Sequence, residues 1–288
     1  MFDPRALGRF KSNRGALVGG AVVAALCVFA LVGPLLVGAD PYSMDFAGGR
    51  GPSGHPAGMS AAHPLGVDPL FRDLLSRLAH GARVSLVIAF VATSISIAVG
   101  ALVGLVAGYT EGGRAQLVDS LLMRFVDLGL SFPYLLLVMA IGAAVGDTSI
   151  VTILLVLGLT SWFGTARVIR AKTLQVRALD FIVASRALGQ STRNVLWRHI
   201  LPNVMGPLIV IATASVAQMI IAEAVLSYLQ LGLPPPEPSW GRMLYEGQRT
   251  YTVAPRLVLA PGLMILASVL GFNLLGEGLR DALDPHED

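Results

Sequence analysis

Charge is scarce in this chain. Only 14% of the residues are Asp, Glu, Lys or Arg, where a soluble domain has about 25%. With 54% hydrophobic residues and a mean hydropathy of +0.69, the chain cannot cover itself for water. The shortage runs along the whole length, which points to several membrane spans. Lysine is almost missing: Lys11 and Lys172 stand alone, so the net charge of +3 comes from arginine. Those arginines sit between apolar runs, where they orient a membrane protein rather than bind nucleic acid. Cys27 is the sole cysteine and lies in an apolar run, which excludes an internal disulfide and suggests a packed, inert thiol. His55, His63, His80, His199 and His286 are scattered without metal-ligand spacing. A phosphate-binding loop needs Gly-Lys-Ser/Thr, but Lys11-Ser12 follows Phe10 and Lys172-Thr173 follows Ala171. No catalytic constellation is present, so the chain reads as a non-enzyme. Uphill transport would need energy from another subunit.

A hydrocarbon core about 30 Å thick takes about 20 helical residues to cross. Six runs meet that length, at 15–38, 84–110, 121–146, 148–168, 201–227 and 257–277. The expectation is an all-α integral membrane protein, because helices satisfy their own backbone groups in lipid. The first run follows Arg5, Arg9, Lys11 and Arg14, and Val37-Gly38-Ala39 resembles a signal cleavage site. It is longer than the roughly 7–15 residues of a signal h-region, which favours an uncleaved anchor. Arginine placement puts segments 1–14, 169–200 and the tail 278–288 in the cytoplasm, and loops 39–83 and 228–256 outside. The inside set includes Arg114, Arg124, Arg167, Arg170, Arg177, Arg186, Arg193, Arg198 and Arg280. The outside set is Arg50, Arg72, Arg77, Arg83, Arg242, Arg249 and Arg256.

Within the second run Gly100, Gly104 and Gly108 recur every four residues, a bare face on which another helix can lie. Asp127 and Glu223 are the ionisable groups nearest membrane depth, and snorkelling to the interface accounts for both. A cation-coupled carrier would show more such groups. Matched broken segments of an inverted repeat are not evident either.

The inside segment 169–200 is the most informative. Leu174, Ala178, Phe181, Ser185 and Leu188 recur at helical spacing, which predicts one helix over 172–188 with a mostly apolar stripe. Gly189 ends it, where a left-handed backbone is easiest. Ser191 or Thr192 can cap a second short helix, and Pro202 sits where the fifth run starts. An apolar stripe at this surface must rest on a partner protein or on lipid headgroups.

The same segment resembles the EAA signature of ABC importer permeases: Val183-Ala184-Ser185, then Gly189, then Leu201-Pro202-Asn203. More specifically, the chain resembles the second permease of dipeptide and oligopeptide importers. The likeness rests on His63-Pro-Leu-Gly-Val-Asp68, the run Leu75 to Leu86, Val126-Asp127, Ser131-Phe-Pro133, Glu223 to Leu229, Pro238 to Leu244 and Gly278 to Pro285. It covers the chain from about Phe10 onward, with a core at about 84–284. It departs where the signature glutamate is Val183, the second alanine is Ser185 and the signature isoleucine is His199. The resemblance implies a type I importer fold, a homologous second permease, two ATP-binding subunits that hold ATP and magnesium, and an extracytoplasmic solute-binding protein. This chain would hold no cofactor or metal. Phe181, Ala184, Ser185, Leu188 and Gly189 would contact the ATPase, with Leu201 and Pro202 fixing the loop to the fifth span. Trp240 and Arg242 are candidates for meeting the binding protein. Peptides, nickel chelates and glutathione are all substrates within this resemblance. An ATP-independent carrier and a membrane scaffold or receptor subunit are the readings from other classes.

Overall fold

The computed structural model describes residues 4–51, 54–113, 115–146 and 149–283; Arg114, Asp147, Pro285 and His286 fall outside them. The helices are α1 (Pro4–Ser12), α2 (Arg14–Val37), α3 (Leu74–Thr110), α4 (Gln116–Ser131), α5 (Tyr134–Val145), α6 (Ile150–Thr160), α7 (Trp162–Arg177), α8 (Asp180–Ala187), α9 (Thr192–Asn194), α10 (Leu201–Tyr228), α11 (Trp240–Gly247) and α12 (Arg256–Leu283). Five helical stretches are long and apolar enough to cross a membrane, and α4 with α5 makes a sixth if the bent pair is one span. The chain is therefore an all-α, multi-pass membrane protein.

The bundle is built around α3, which packs on α2, α6, α7 and α10, while α12 closes the far side against α2 and α10. Asn13 Nδ2 donates to Asp281 Oδ2 at 3.0 Å, so the two ends of the described chain meet at one end of the bundle. Arg177 Nη1 donates to the carbonyls of Tyr109 and Glu111, each at 2.7 Å, so the loop around Gly189 follows α7 at the end where α3 finishes. The other end carries α11 and the segment before α3.

The α3–α7 contact depends on the three spaced glycines. A Cβ on Gly100 would come within 2.7 Å of the Thr165 Cβ, one on Gly104 within 2.6 Å of the Ala166 carbonyl oxygen, and one on Gly108 within 2.7 Å of the Arg170 carbonyl oxygen. Those distances are too short for any side chain, so the two backbones touch directly. Arg170 then grips Asp119 of α4 through Nε at 2.6 Å and Nη2 at 2.7 Å, and Arg167 pairs with Asp127. Asp127 is thus a salt-bridge partner of α7 rather than a lone snorkelling group.

Three boundaries differ from the sequence expectation. First, α3 begins at Leu74, not near 84, because Asp73 caps it by accepting from Ser76 N at 2.7 Å, and Arg77 is paired rather than solvated. Second, the expected span at 121–146 is α4 and α5, bent by 93°. Pro133 has no amide hydrogen and holds Phe132 in an extended conformation, which stops α4. Third, the helix expected over 172–188 breaks at Ala178–Leu179 into α7 and α8. Arg177 is committed to the α3 carbonyls, and Ile182 turns into a second apolar cluster with Leu105, Ile169, Val195, Ile200 and Val204.

Gly104→Val is expected to force α3 from α7 and cost about 1–3 kcal/mol, the usual range for overpacking. It should appear as a lowered melting temperature of the purified protein in detergent. Gly142→Ala, whose Cβ would meet nothing within 4 Å, should melt like wild type. Equal melting of both variants would remove the seam as a constraint.

Candidate functional site

The segment 178–203 is a helical elbow. Leu179 is extended (φ −72°, ψ 143°) and turns the chain into α8, which ends in a Schellman motif. Gly189 N donates to Arg186 O at 3.0 Å, Gln190 N donates to Ser185 O at 3.3 Å, and Gly189 takes φ +79°. A Cβ there would meet nothing within 4 Å, so glycine is required by its backbone conformation and not by crowding. Ser191, not Thr192, caps α9 by accepting from Asn194 N at 3.4 Å. The Gln190 side-chain oxygen accepts from Asn194 Nδ2 at 2.9 Å and lies 3.1 Å from His199 Nε2, tying the elbow to the next turn.

That next turn, Val195–Ile200, is π-helical and runs unbroken into α10. Pro202 explains it. The proline has no amide hydrogen, and its ring would crowd the Arg198 carbonyl of a regular helix, so the turn widens and Leu201 N donates to Leu196 O instead. Asn203 Nδ2 donates to His199 O at 2.7 Å beside it.

The anticipated docking residues separate into two sets. Leu188 is 84% exposed, Phe181 is 47% exposed, and Ala184, Gly189 and Pro202 are also exposed. Ser185 faces inward and Leu201 is half-buried. Leu179, Val183 and Trp197, which lie off the one-helix stripe, are exposed large apolar residues of the same segment. The break at Ala178–Leu179 is the signal that would have gathered them. A cavity of about 520 Å³ opens beside the elbow between Ser191, Arg193, Asn194 and Trp197. Side chains of this size gain roughly 1.5–3 kcal/mol each on burial, so the surface is suited to being covered by a partner protein or by lipid.

The opposite end is capped by 39–73 and α11. Asp68, Arg72, Arg77 and Glu246 form a buried network: Arg72 Nε to Asp68 at 2.7 Å, Arg72 Nη2 to Glu246 at 2.8 Å, Arg77 Nη2 to Glu246 at 2.9 Å, and Arg77 Nε to Asp68 at 3.2 Å. Two cations and two anions in one cluster balance each other's charge, which a buried charge requires. Arg256 Nη2 donates to Ala57 O at 2.7 Å.

Trp240 has no exposed surface; its Nε1 donates to Leu78 O at 3.3 Å and its backbone N to Ser85 Oγ at 3.3 Å. It therefore holds α11 onto α3 and has no surface to offer a protein docked outside. Arg242 is half-buried, bonded to Glu246 at 3.2 Å and stacked on Tyr245. Glu223 does not snorkel. It is 1% exposed and accepts from Ser85 Oγ at 3.0 Å and Ser227 Oγ at 2.7 Å.

This bundle of membrane-crossing helices, with an exposed apolar elbow at one end and a charge-latched cap at the other, is by its family match a membrane transport permease. Residues 100–287 match the family of binding-protein-dependent transport system inner membrane components, and residues 5–50 match the N-terminal membrane domain of oligopeptide transport permease C. The chain is 42% identical to the di/tripeptide transport system permease protein DppC of Pseudomonas aeruginosa, covering 96% of this chain and 89% of the relative. It is 36% identical to the dipeptide permease DppC of Alkalihalophilus pseudofirmus, covering 97% and 88%, and 39% identical to the glutathione permease GsiD of Pectobacterium atrosepticum, covering 79% and 74%. Its fold matches a chain of the MetNI methionine ABC transporter in an inward-facing conformation, with TM-score 0.57 and 19% identity over 72% of this chain and 96% of that one. The protein belongs to the binding-protein-dependent transport permease family.

In the cap, His63 Nδ1 lies 2.8 Å from Asp73 and Nε2 lies 3.2 Å from Asp45. The hydrogen bond to Asp73, helped by Asp45, raises the His63 pKa against a smaller opposing effect of desolvation. The Gly48 amide, then His63, lowers that of Asp45. The His63 contribution to stability is therefore complete below the unfolded pKa of about 6.5 and lost as pH rises through the higher folded value. The melting-temperature gap between wild type and His63→Gln should be widest near pH ~6 and close toward pH ~9. A gap that does not vary with pH would mean His63 stays neutral in the cap.

Proposed function

We propose that this chain is one permease half of a bacterial ATP-driven importer of di- or oligopeptides. The exposed apolar elbow around Leu188 and Gly189 carries the reading, and the names of the relatives at 36–42% identity support the peptide substrate. Glutathione, itself a short peptide, is the nearest alternative cargo, since a glutathione permease is 39% identical. In this reading the Gly189 end and both termini face the cytoplasm, in accord with the arginine-rich 167–198 segment at that end. The assembly consists of this chain, a homologous permease, two ATP-binding subunits that carry ATP and magnesium, and an extracytoplasmic binding protein.

The mechanism follows from what the elbow is attached to. Closing of the ATP-binding subunits moves Phe181, Val183, Ala184, Leu188 and Gly189 as a unit. Arg177 and the glycine seam pass that motion to α3, and the π-turn passes it to α10. The permease halves then rock between inward-open and outward-open arrangements. Val183, where the signature has glutamate, makes the grip depend on apolar area and shape. Ser185 supports the elbow from inside, Leu201 and Pro202 join it to α10, and Arg242 is the member of the outer pair left to approach the binding protein.

Gly189→Pro removes the amide that bonds Arg186 O and cannot adopt φ +79°. It is expected to leave insertion and basal ATP hydrolysis intact while reducing peptide uptake in proteoliposomes by tenfold or more. Gly189→Ala, with open space but about 1–2 kcal/mol of backbone strain, should fall between. Wild-type uptake by Gly189→Pro would remove the elbow from the coupling path. Leu188→Glu should reduce co-purification of the ATP-binding subunits.

A further inference from the structure

Two helix interruptions meet at one place. One is the 93° bend between α4 and α5 at Phe132-Pro133, and the other is the single-residue kink at Ser161, where α6 runs into α7 within one 28-residue helical stretch. Between them lies a cleft of about 370 Å³ lined by Gly129, Phe132, Tyr134, Ser161, Gly164 and Gln218, among others. Its size falls within the roughly 300–1,000 Å³ of small-ligand sites. Gln218 comes from α10, about 15 Å along the helix from its end at Tyr228, within a stretch long and apolar enough to cross a membrane. The side chain is exposed, and among the described residues its amide has no hydrogen-bond partner. Opposite, Ser161 Oγ lies 2.8 Å from the Tyr134 hydroxyl and 2.6 Å from Leu157 O.

Irregular backbone and a free amide at this depth are tolerated inside protein or along a water-filled cavity, not against lipid. Lipid would leave Gln218 unsatisfied. A carboxamide that both donates and accepts matches the main-chain amide of a peptide, which has the same two groups whatever its sequence. The rest of the wall is mainly apolar and aromatic, with Phe132, Leu137, Phe163 and Met219, and fits varied side chains without selecting one charge.

We propose that this cleft is a stretch of the route taken by the cargo, where Gln218 pairs with the main-chain amide of a passing peptide and the Tyr134–Ser161 hydroxyl pair offers a second hydrogen-bonding point. The assignment rests on the peptide-importer reading and goes further by placing the substrate on named residues. It also accounts for Ser131-Phe132-Pro133, which the elbow and the cap leave without a role.

The test uses the whole transporter in proteoliposomes, with Cys27→Ala to remove the native thiol and Gln218→Cys as the reporter. Leu31→Cys, on the exposed face of α2, serves as the lipid-side control. Gln218→Cys should react with a charged, membrane-impermeant methanethiosulfonate during turnover, and alanyl-alanine or tri-alanine should slow that reaction at least fivefold. Leu31→Cys should react with a lipid-soluble maleimide only. Gln218→Leu should raise the KM for peptide uptake severalfold, with Gln218→Asn restoring part of it. If Gln218→Cys behaves like Leu31→Cys, or reacts with neither reagent because a partner helix covers it, the cleft is not on the route. Labelling that peptide leaves unchanged would overturn the pairing of Gln218 with the cargo. A wild-type transporter that imports no peptide would instead remove the functional reading, whereas peptide import without labelling at Gln218 removes this inference alone.

Discussion

The direct approach of two backbones along Gly100, Gly104 and Gly108 is the constraint on which the other contacts depend. It sets the distance and rotation of α7 against α3. Arg170 and Arg167 can then reach Asp119 and Asp127 on α4, and Arg177 can reach the carbonyls that close α3. With α7 fixed in this way, the elbow that follows it has one orientation. In a lipid environment, where apolar area gives no preference between helix partners, such close packing and polar contacts are the means of specifying one arrangement.

The opposite end is specified differently. There the contacts are charged and hydrogen-bonded: Asp68, Arg72, Arg77 and Glu246 in one cluster, His63 between two carboxylates, and Glu223 held by serines beneath Trp240. Replacing one member would leave another buried and unpaired, so the cluster acts as a unit. The seam end is governed by shape and the cap end by charge balance. Both act on α3, which runs from Asp73 in the cap to the carbonyls held by Arg177.

Much of this was legible in the residues. Long uncharged runs announced membrane helices, four-residue glycine spacing announced a helix seam, and Gly189 announced a left-handed turn; each signal is local, and backbone geometry responds to it directly. What stayed hidden depended on distant partners. Arg77 looked like a solvated loop charge because its acceptors, Asp68 and Glu246, could not be assigned from spacing. Glu223 and Trp240 looked peripheral for the same reason, although both are enclosed. The helix over 172–188 was drawn unbroken because periodicity is blind to the commitment of Arg177 to α3. Gln218 carried no sequence signal, since a single amide within an apolar run becomes informative only beside two interrupted helices.

The widened turn at Val195–Ile200 affects everything after it. An extra residue accommodated in one turn advances the phase of the following helix by about 100°. All of α10 is therefore indexed to that one irregularity: with regular winding, the stretch from Val204 onward would present a different set of side chains to each neighbour. Glu223 would rotate away from Ser85, and Gln218 would face another quarter of the bundle. Pro202 thus sets, from one end of a 37-residue rod, which residues its other end shows to the membrane interior.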